Sequence, residues 1–123
     1  ADGATLDSMD AALRGFCTEL AQQRDLDVQV EQVVYFPPQP FTPALVEGVR
    51  QDAAALGLSA MDVVSGAGHD AVYLARLAPT AMVFVPCAGG ISHNEIEDAR
   101  PEHLEAGCNV LLHAMLRSAG GLA

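Results

Sequence analysis

Apolar side chains recur in steps of three and four near the start of the chain, at Leu6, Met9, Leu13, Phe16 and Leu20. That spacing lays one stripe along a helix over residues 5–24, with Thr5 or Asp2 placed to cap its start. The pattern then changes to alternation in DVQVEQVVYF, where Val28 and Val30 stand against Gln29 and Glu31, the period of a half-buried strand. The following PPQP ends it, because proline removes ladder donors and restricts its neighbours. Helical spacing returns at Leu45, Val46, Val49, Ala53 and Leu56. Thr42 suits the N-cap of that second helix, Pro43 its first position and Gly57 its exit. A short apolar run, MDVV, leads into the turn SGAGHD and a brief helical stretch, AVYLARLA, closed by Pro79. AMVFVP is then a continuous apolar run of strand length, of the kind a covered central strand shows. Pro101 opens a last helix, predicted to face inward with Leu104, Cys108, Leu111, Leu112 and Met115, and Gly120 lies beyond its end.

From residue 42 onward the expected order is helix, strand, helix, strand, helix. That order predicts an α/β arrangement of layers, with the loops SGAGHD and GGISHN each following a strand. Ligand sites in open α/β sheets favour the carboxyl ends of strands, which is where both loops would sit. The proline cluster at 37–40 is the one plausible boundary, dividing a helix–strand unit from the α/β part. No internal repeat or low-complexity segment is present.

Composition narrows the function classes. The 123 residues suit one domain with a sizeable core, and half of them are apolar, which argues against disorder. Six arginines, no lysine and sixteen acids give a net charge of −10, the wrong balance for nucleic acid or an anionic membrane. No apolar run approaches the roughly 20 residues of a membrane span, and the first residues carry no secretory pattern. Cys17, Cys87 and Cys108 are an odd set without C-x-x-C spacing, expected to be reduced and intracellular.

Two loops hold candidate chemistry. In CAGGISHNEIED, His93 follows glycines that allow close backbone approach and precedes Glu95, Glu97 and Asp98. It can ligate a metal through a neutral imidazole nitrogen, with Glu97 orienting the ring or a neighbouring group. It can equally be a loop histidine bonded to a nearby carboxylate, and one histidine does not hold a zinc, which takes four or more ligands. In SGAGHD, small residues before His69 leave backbone N–H groups free to face a carboxylate or an oxyanion, just ahead of a helix. The same residues make an ordinary tight turn. Asp70 is expected to cap the short helix, Cys87 to pack, and His103 and His113 to be structural. The GAG here lacks the further glycine of a dinucleotide fingerprint.

These residues resemble a known family. VSGAGHDAVYLARLAPTAMVFVPCAGGISHNEIED is similar to the carboxy-terminal region of the hydantoinase/carbamoylase amidases, zinc amidohydrolases of the M20 metallopeptidase group. That family includes N-carbamoyl-L-amino acid hydrolases, β-ureidopropionases and allantoate amidohydrolases. SGAGHDA and GISHNEIE, with a strand ending in FVP between them, make the match specific, and DGATLDSMDAAL and VVYFPPQPF extend it over essentially the whole chain.

The resemblance implies that His93 is one ligand of a two-metal centre of zinc or manganese. It implies that Gly68 and His69 help hold the substrate, and that Glu97 supports the ligand histidine from behind. It further implies a zinc-aminopeptidase-like α/β catalytic domain, of which residues 37–123 would be the carboxy-terminal part. Residues 1–36 would be the end of an α+β lid and dimerisation domain. The other metal ligands, the glutamate general base and the substrate-holding arginine and asparagine of the lid would all lie upstream of residue 1. The expectation is therefore a cytoplasmic, homo-oligomeric hydrolase of small ureido or amide substrates, with this chain inactive alone. A stand-alone binding or assembly module that keeps the fold without the chemistry is the alternative from a different class.

Overall fold

The computed structural model describes residues 2–120. The chain divides into two compact units, Ala1–Pro40 and Phe41–Ala123.

In the first unit, helix α1 runs Gly3–Arg24. Of the two candidate caps, Asp2 is the one used: its Oδ1 accepts the Thr5 amide at 2.8 Å. That bond holds the Asp2 carboxyl below its ordinary 3.8. Asp25 closes the helix in the left-handed conformation, with φ 50, and the Leu26 amide reaches back to the Ala21 carbonyl. Residues 26–40 follow without regular structure. The guanidinium of Arg14, anchored on Asp10 one turn earlier, donates to the Val30 carbonyl at 3.0 Å. The covered face is accordingly the one bearing Leu6, Asp10, Arg14, Cys17 and Ala21. Except for Leu6, the apolar stripe read from the spacing is open: Met9, Leu13, Phe16 and Leu20 are all exposed.

The second unit is organised by two helices that pack together, α2 (Pro43–Ala55) and the longer one at its end, Pro101–Ser118. Between them lie a short helix, α3 (Asp70–Leu74), and a 3-10 turn at Ala88–Gly90; the last helix is α4. Pro43 occupies the first turn of α2 as expected. Thr42 stands at the cap position, yet its hydroxyl accepts the Thr80 amide at 3.0 Å instead of a helix amide. The Thr42 amide in turn donates to the Thr80 carbonyl, clamping the start of α2 to the start of the 81–86 run. At the other end Gly57, with φ 71, donates to Ala54, and Leu58 donates to Ala53. This is the paired bonding that ends a helix at a left-handed glycine.

The apolar stripe of α2 is covered as read, with Ala53 buried and Leu45, Val46, Val49 and Leu56 half-buried. On α4 the covered face is a different one from that expected. Val110 is buried, and His103, Ala106, Gly107, His113 and Ala114 are half-buried, whereas Leu104, Cys108, Leu111, Leu112 and Met115 are exposed. Small residues explain the choice. A Cβ on Gly107 would collide with Val85 of the apolar run, so this glycine admits that run against the helix. Glycine in a helix interior costs about 1 kcal/mol relative to alanine, and close approach is what it gains here. His103 and His113 take the structural positions expected, although His103 Nδ1 is buried without a partner.

Across the seam lies Asp52, 1 % exposed, bonded by the Nε and Nη2 of Arg117. The hydrogen bond to Asp52 raises the Arg117 guanidinium above its usual value. The Arg117 stem runs past Gly48 of α2, where even an added Cβ would stand 3.5 Å from its Cδ, an ordinary contact. A buried carboxylate is tolerated only with such a partner.

The expected strands are not formed among the described residues. Residues 26–42, 58–69 and 79–87 lie outside any helix and join no β-ladder. A strand requires a second segment in register to take its amides. The 81–86 run packs its side chains on α4 but has no such neighbour among the described residues. The α/β expectation is therefore not met among the described residues, whose regular elements are all helical.

Candidate functional site

Both candidate loops belong to the second unit. The SGAGHD loop delivers His69 to the position before α3, in extended geometry (φ −133, ψ 149). His69 holds the N-cap place expected of Asp70, which instead begins the helix and makes no capping bond. The imidazole is tied on one side: Ser65 Oγ lies 2.7 Å from His69 Nε2, and the same oxygen accepts the Ala67 amide at 3.2 Å. Phe84, from the apolar run, meets the His69 ring edge-on with centroids 5.5 Å apart. Gly68 has no need of being glycine within this chain. Its φ is not left-handed, and an added Cβ would meet nothing within 4 Å.

The GGISHNEIED loop is built differently. Gly89 and Gly90 turn the chain with φ of 61 and 71, conformations that a side chain resists. The Ala88 amide donates to the Asp98 carbonyl at 2.7 Å and closes the loop at its base. His93 itself is left-handed, with φ 54, an unusual state for a residue bearing a Cβ. Glu97 holds it there. Its Oε2 accepts the His93 backbone amide at 2.7 Å, while its Oε1 lies 3.6 Å from the Cys87 thiol. Asn94 steadies the carboxylate's own segment by accepting the Ile96 amide on its side chain and the Glu97 amide on its carbonyl. Glu97 thus bonds the main chain of His93 and not the ring that the spacing left it to orient, and Cys87 takes part in the loop beyond packing.

The fold brings the two loops together. The rings of His69 and His93, 24 positions apart in the chain, lie with centroids 6.5 Å apart. Ser65 and Phe84 touch the His69 ring and Cys87 meets Glu97, and none of the three was singled out as a site residue. Ser65 was legible as a hydroxyl four places before a histidine in a small-residue turn. Phe84 carried no signal beyond belonging to an apolar run.

A metal asks for more than these loops hold. Among the described residues no three histidine, cysteine or acidic side chains group as ligands. A single imidazole, with its nearest carboxylate already engaged by an amide and a thiol, falls short of the four donors of a zinc site. The residues present do not by themselves fit a metal centre. Nor is any helix among them long and apolar enough to cross a membrane.

Known proteins share this sequence and this arrangement. An N-carbamoyl-L-amino-acid amidohydrolase of Rhizobium meliloti is 46 % identical over 118 residues, 96 % of this chain and 28 % of that protein. A solved hydantoinase/carbamoylase family amidase from Burkholderia vietnamiensis superposes with a TM-score of 0.79 at 58 % identity, covering 96 % of this chain and 29 % of that one. A putative amidohydrolase/peptidase from Burkholderia cenocepacia gives 0.84 at 52 % identity, covering 99 % and 30 %. The chain therefore spans less than a third of the length of these relatives. Residues 4–117 match peptidase family M20/M25/M40. The chain belongs to that family.

Proposed function

We infer that this chain is the carboxy-terminal part of a metal-dependent amidohydrolase that cleaves the C–N bond of N-carbamoyl (ureido) amino acids or related linear amides. The observation that carries this reading is the meeting of two separately built loops, with His93 and His69 side by side. The activity named for the Rhizobium relative supports the substrate class. In this reading His93 contributes one ligand to a zinc or manganese centre whose remaining donors come from sequence outside this chain. Gly68 and His69 hold the substrate, and the open space over Gly68 suits a ligand approaching its backbone. Fixing the substrate beside the reacting centre is itself a large share of such catalysis. Residues 1–36 are the end of a lid and dimerisation domain, and residues 37–123 the end of the catalytic domain. The working protein is a cytoplasmic homo-oligomer.

The isolated chain, with one metal donor and no general base, has no turnover of its own. The test is an assay of the full-length protein on N-carbamoyl-L-amino acids, following ammonia release, with the isolated chain run beside it. Release by the full-length protein alone is the expected result. Turnover by the purified isolated chain, abolished in His93→Ala, would overturn the assignment of a partial site. Absence of turnover in the metal-loaded full-length protein would remove the substrate class and favour a binding module, the reading to which the incomplete donor set otherwise points.

A further inference from the structure

We propose that Ser65 is a positioning residue that fixes the tautomer of His69, so that the imidazole meets its ligand as a hydrogen-bond donor through Nδ1. The proposal rests on the reading of His69 as a substrate-holding group. The argument begins from the hydroxyl, which has one proton to give and two lone pairs to receive with. One lone pair is taken by the Ala67 amide at 3.2 Å. The proton has an acceptor at His69 Nε2, 2.7 Å away. A neutral imidazole accepting at Nε2 carries its own proton on Nδ1, because the bond made at one ring nitrogen sets the state of the other. The reverse assignment makes Ser65 accept twice and leaves its proton without a protein acceptor.

Nδ1 has no hydrogen-bond partner among the described residues, so it is the nitrogen left for a ligand. The edge-on contact with Phe84, at 5.5 Å, keeps the ring plane from turning away. This matters for the class of ligand. A carboxylate or an oxyanion only accepts hydrogen bonds, so a ring with its lone pair at Nδ1 would repel it. Ser65 therefore biases the neutral His69 ring toward donating to an anionic group. Gly66, Ala67 and Gly68 are the three residues between them, so the bond closes within four positions of the chain.

The test uses the full-length protein with ¹⁵N-labelled histidine, reading the His69 tautomer by long-range ¹H–¹⁵N correlation. Wild type is expected to show the Nδ1–H form. Ser65→Ala is expected to lose it and to raise KM for an N-carbamoyl amino acid about 3- to 10-fold, the scale of one hydrogen bond, with kcat and metal content little changed. Ser65→Thr, which keeps the hydroxyl, restores both. An Nε2–H form in wild type, or a spectrum and KM unmoved by Ser65→Ala, overturns the proposal. If the wild-type protein turns over no ureido substrate, the functional reading falls, and the tautomer spectra still decide the role of Ser65.

Discussion

The loop carrying His69 and the loop carrying His93 bring their rings within 6.5 Å of each other, but by different means. His69 sits in relaxed extended backbone, and one hydroxyl steadies its ring. His93 sits in left-handed backbone between a pair of left-handed glycines and the carboxylate that takes its amide. A conformation that the residue itself disfavours persists only where its surroundings over-determine it. On the roles proposed for the two histidines, the contrast separates two tasks. A metal ligand must be delivered to a fixed point, and main-chain bonds enforce that. A substrate-holding group needs its ring chemistry set, which a side-chain bond does.

Breaking each loop in the full-length protein should expose that difference. His93→Ala is expected to have the largest effect, abolishing turnover and removing metal, as read by elemental analysis of the purified protein. A full metal complement in that variant would withdraw the ligand assignment. Glu97→Gln should follow, weakening metal affinity by roughly 10- to 100-fold, the usual consequence of losing support behind a ligand. Its amide oxygen can still take the His93 amide, so chelator competition should find Glu97→Ala weaker than Glu97→Gln. Equal affinities would mean that the main-chain bond carries nothing.

His69→Ala should leave the metal in place and raise KM by about 10-fold or more, the scale of a hydrogen bond to a charged group. Loss of metal in this variant would merge the two loops into one task. The smallest effects concern glycines and sharpen the same comparison. Gly90→Ala places a Cβ at φ 71 and should cost about 1–2 kcal/mol in denaturant unfolding. Gly68→Ala meets nothing within the chain and should stay within about 0.5 kcal/mol of wild type, its effect falling on KM. Comparable stability losses in both variants would show that the SGAGHD loop is conformationally constrained after all.

Local pattern by itself determined the helices, because caps, prolines and a 3.6-residue period act over a few neighbouring positions. Asp2, Pro43, Gly57 and Pro101 all mark helix ends where the sequence predicts them. It also determined the two loops as candidates, since SGAGH and GGISH differ in composition from everything around them. Period does not choose which face is covered. On α1 and α4 the most apolar stripe stays largely open, while smaller or polar residues, such as Arg14 on α1 and Gly107 and Val110 on α4, meet the rest of their unit. Only the tertiary structure decided that, because coverage depends on which segments are present to pack, and close approach favours small side chains over large ones. The same holds for Asp52, an unremarkable acid in a helix until Arg117, 65 positions later, makes its burial tolerable. It holds for the 81–86 run too, apolar enough for a strand but without a ladder partner among the described residues. The site follows the same division: residue types announce which histidines can do chemistry, and the long-range fold alone places His69 beside His93 and spends Glu97 on a backbone amide.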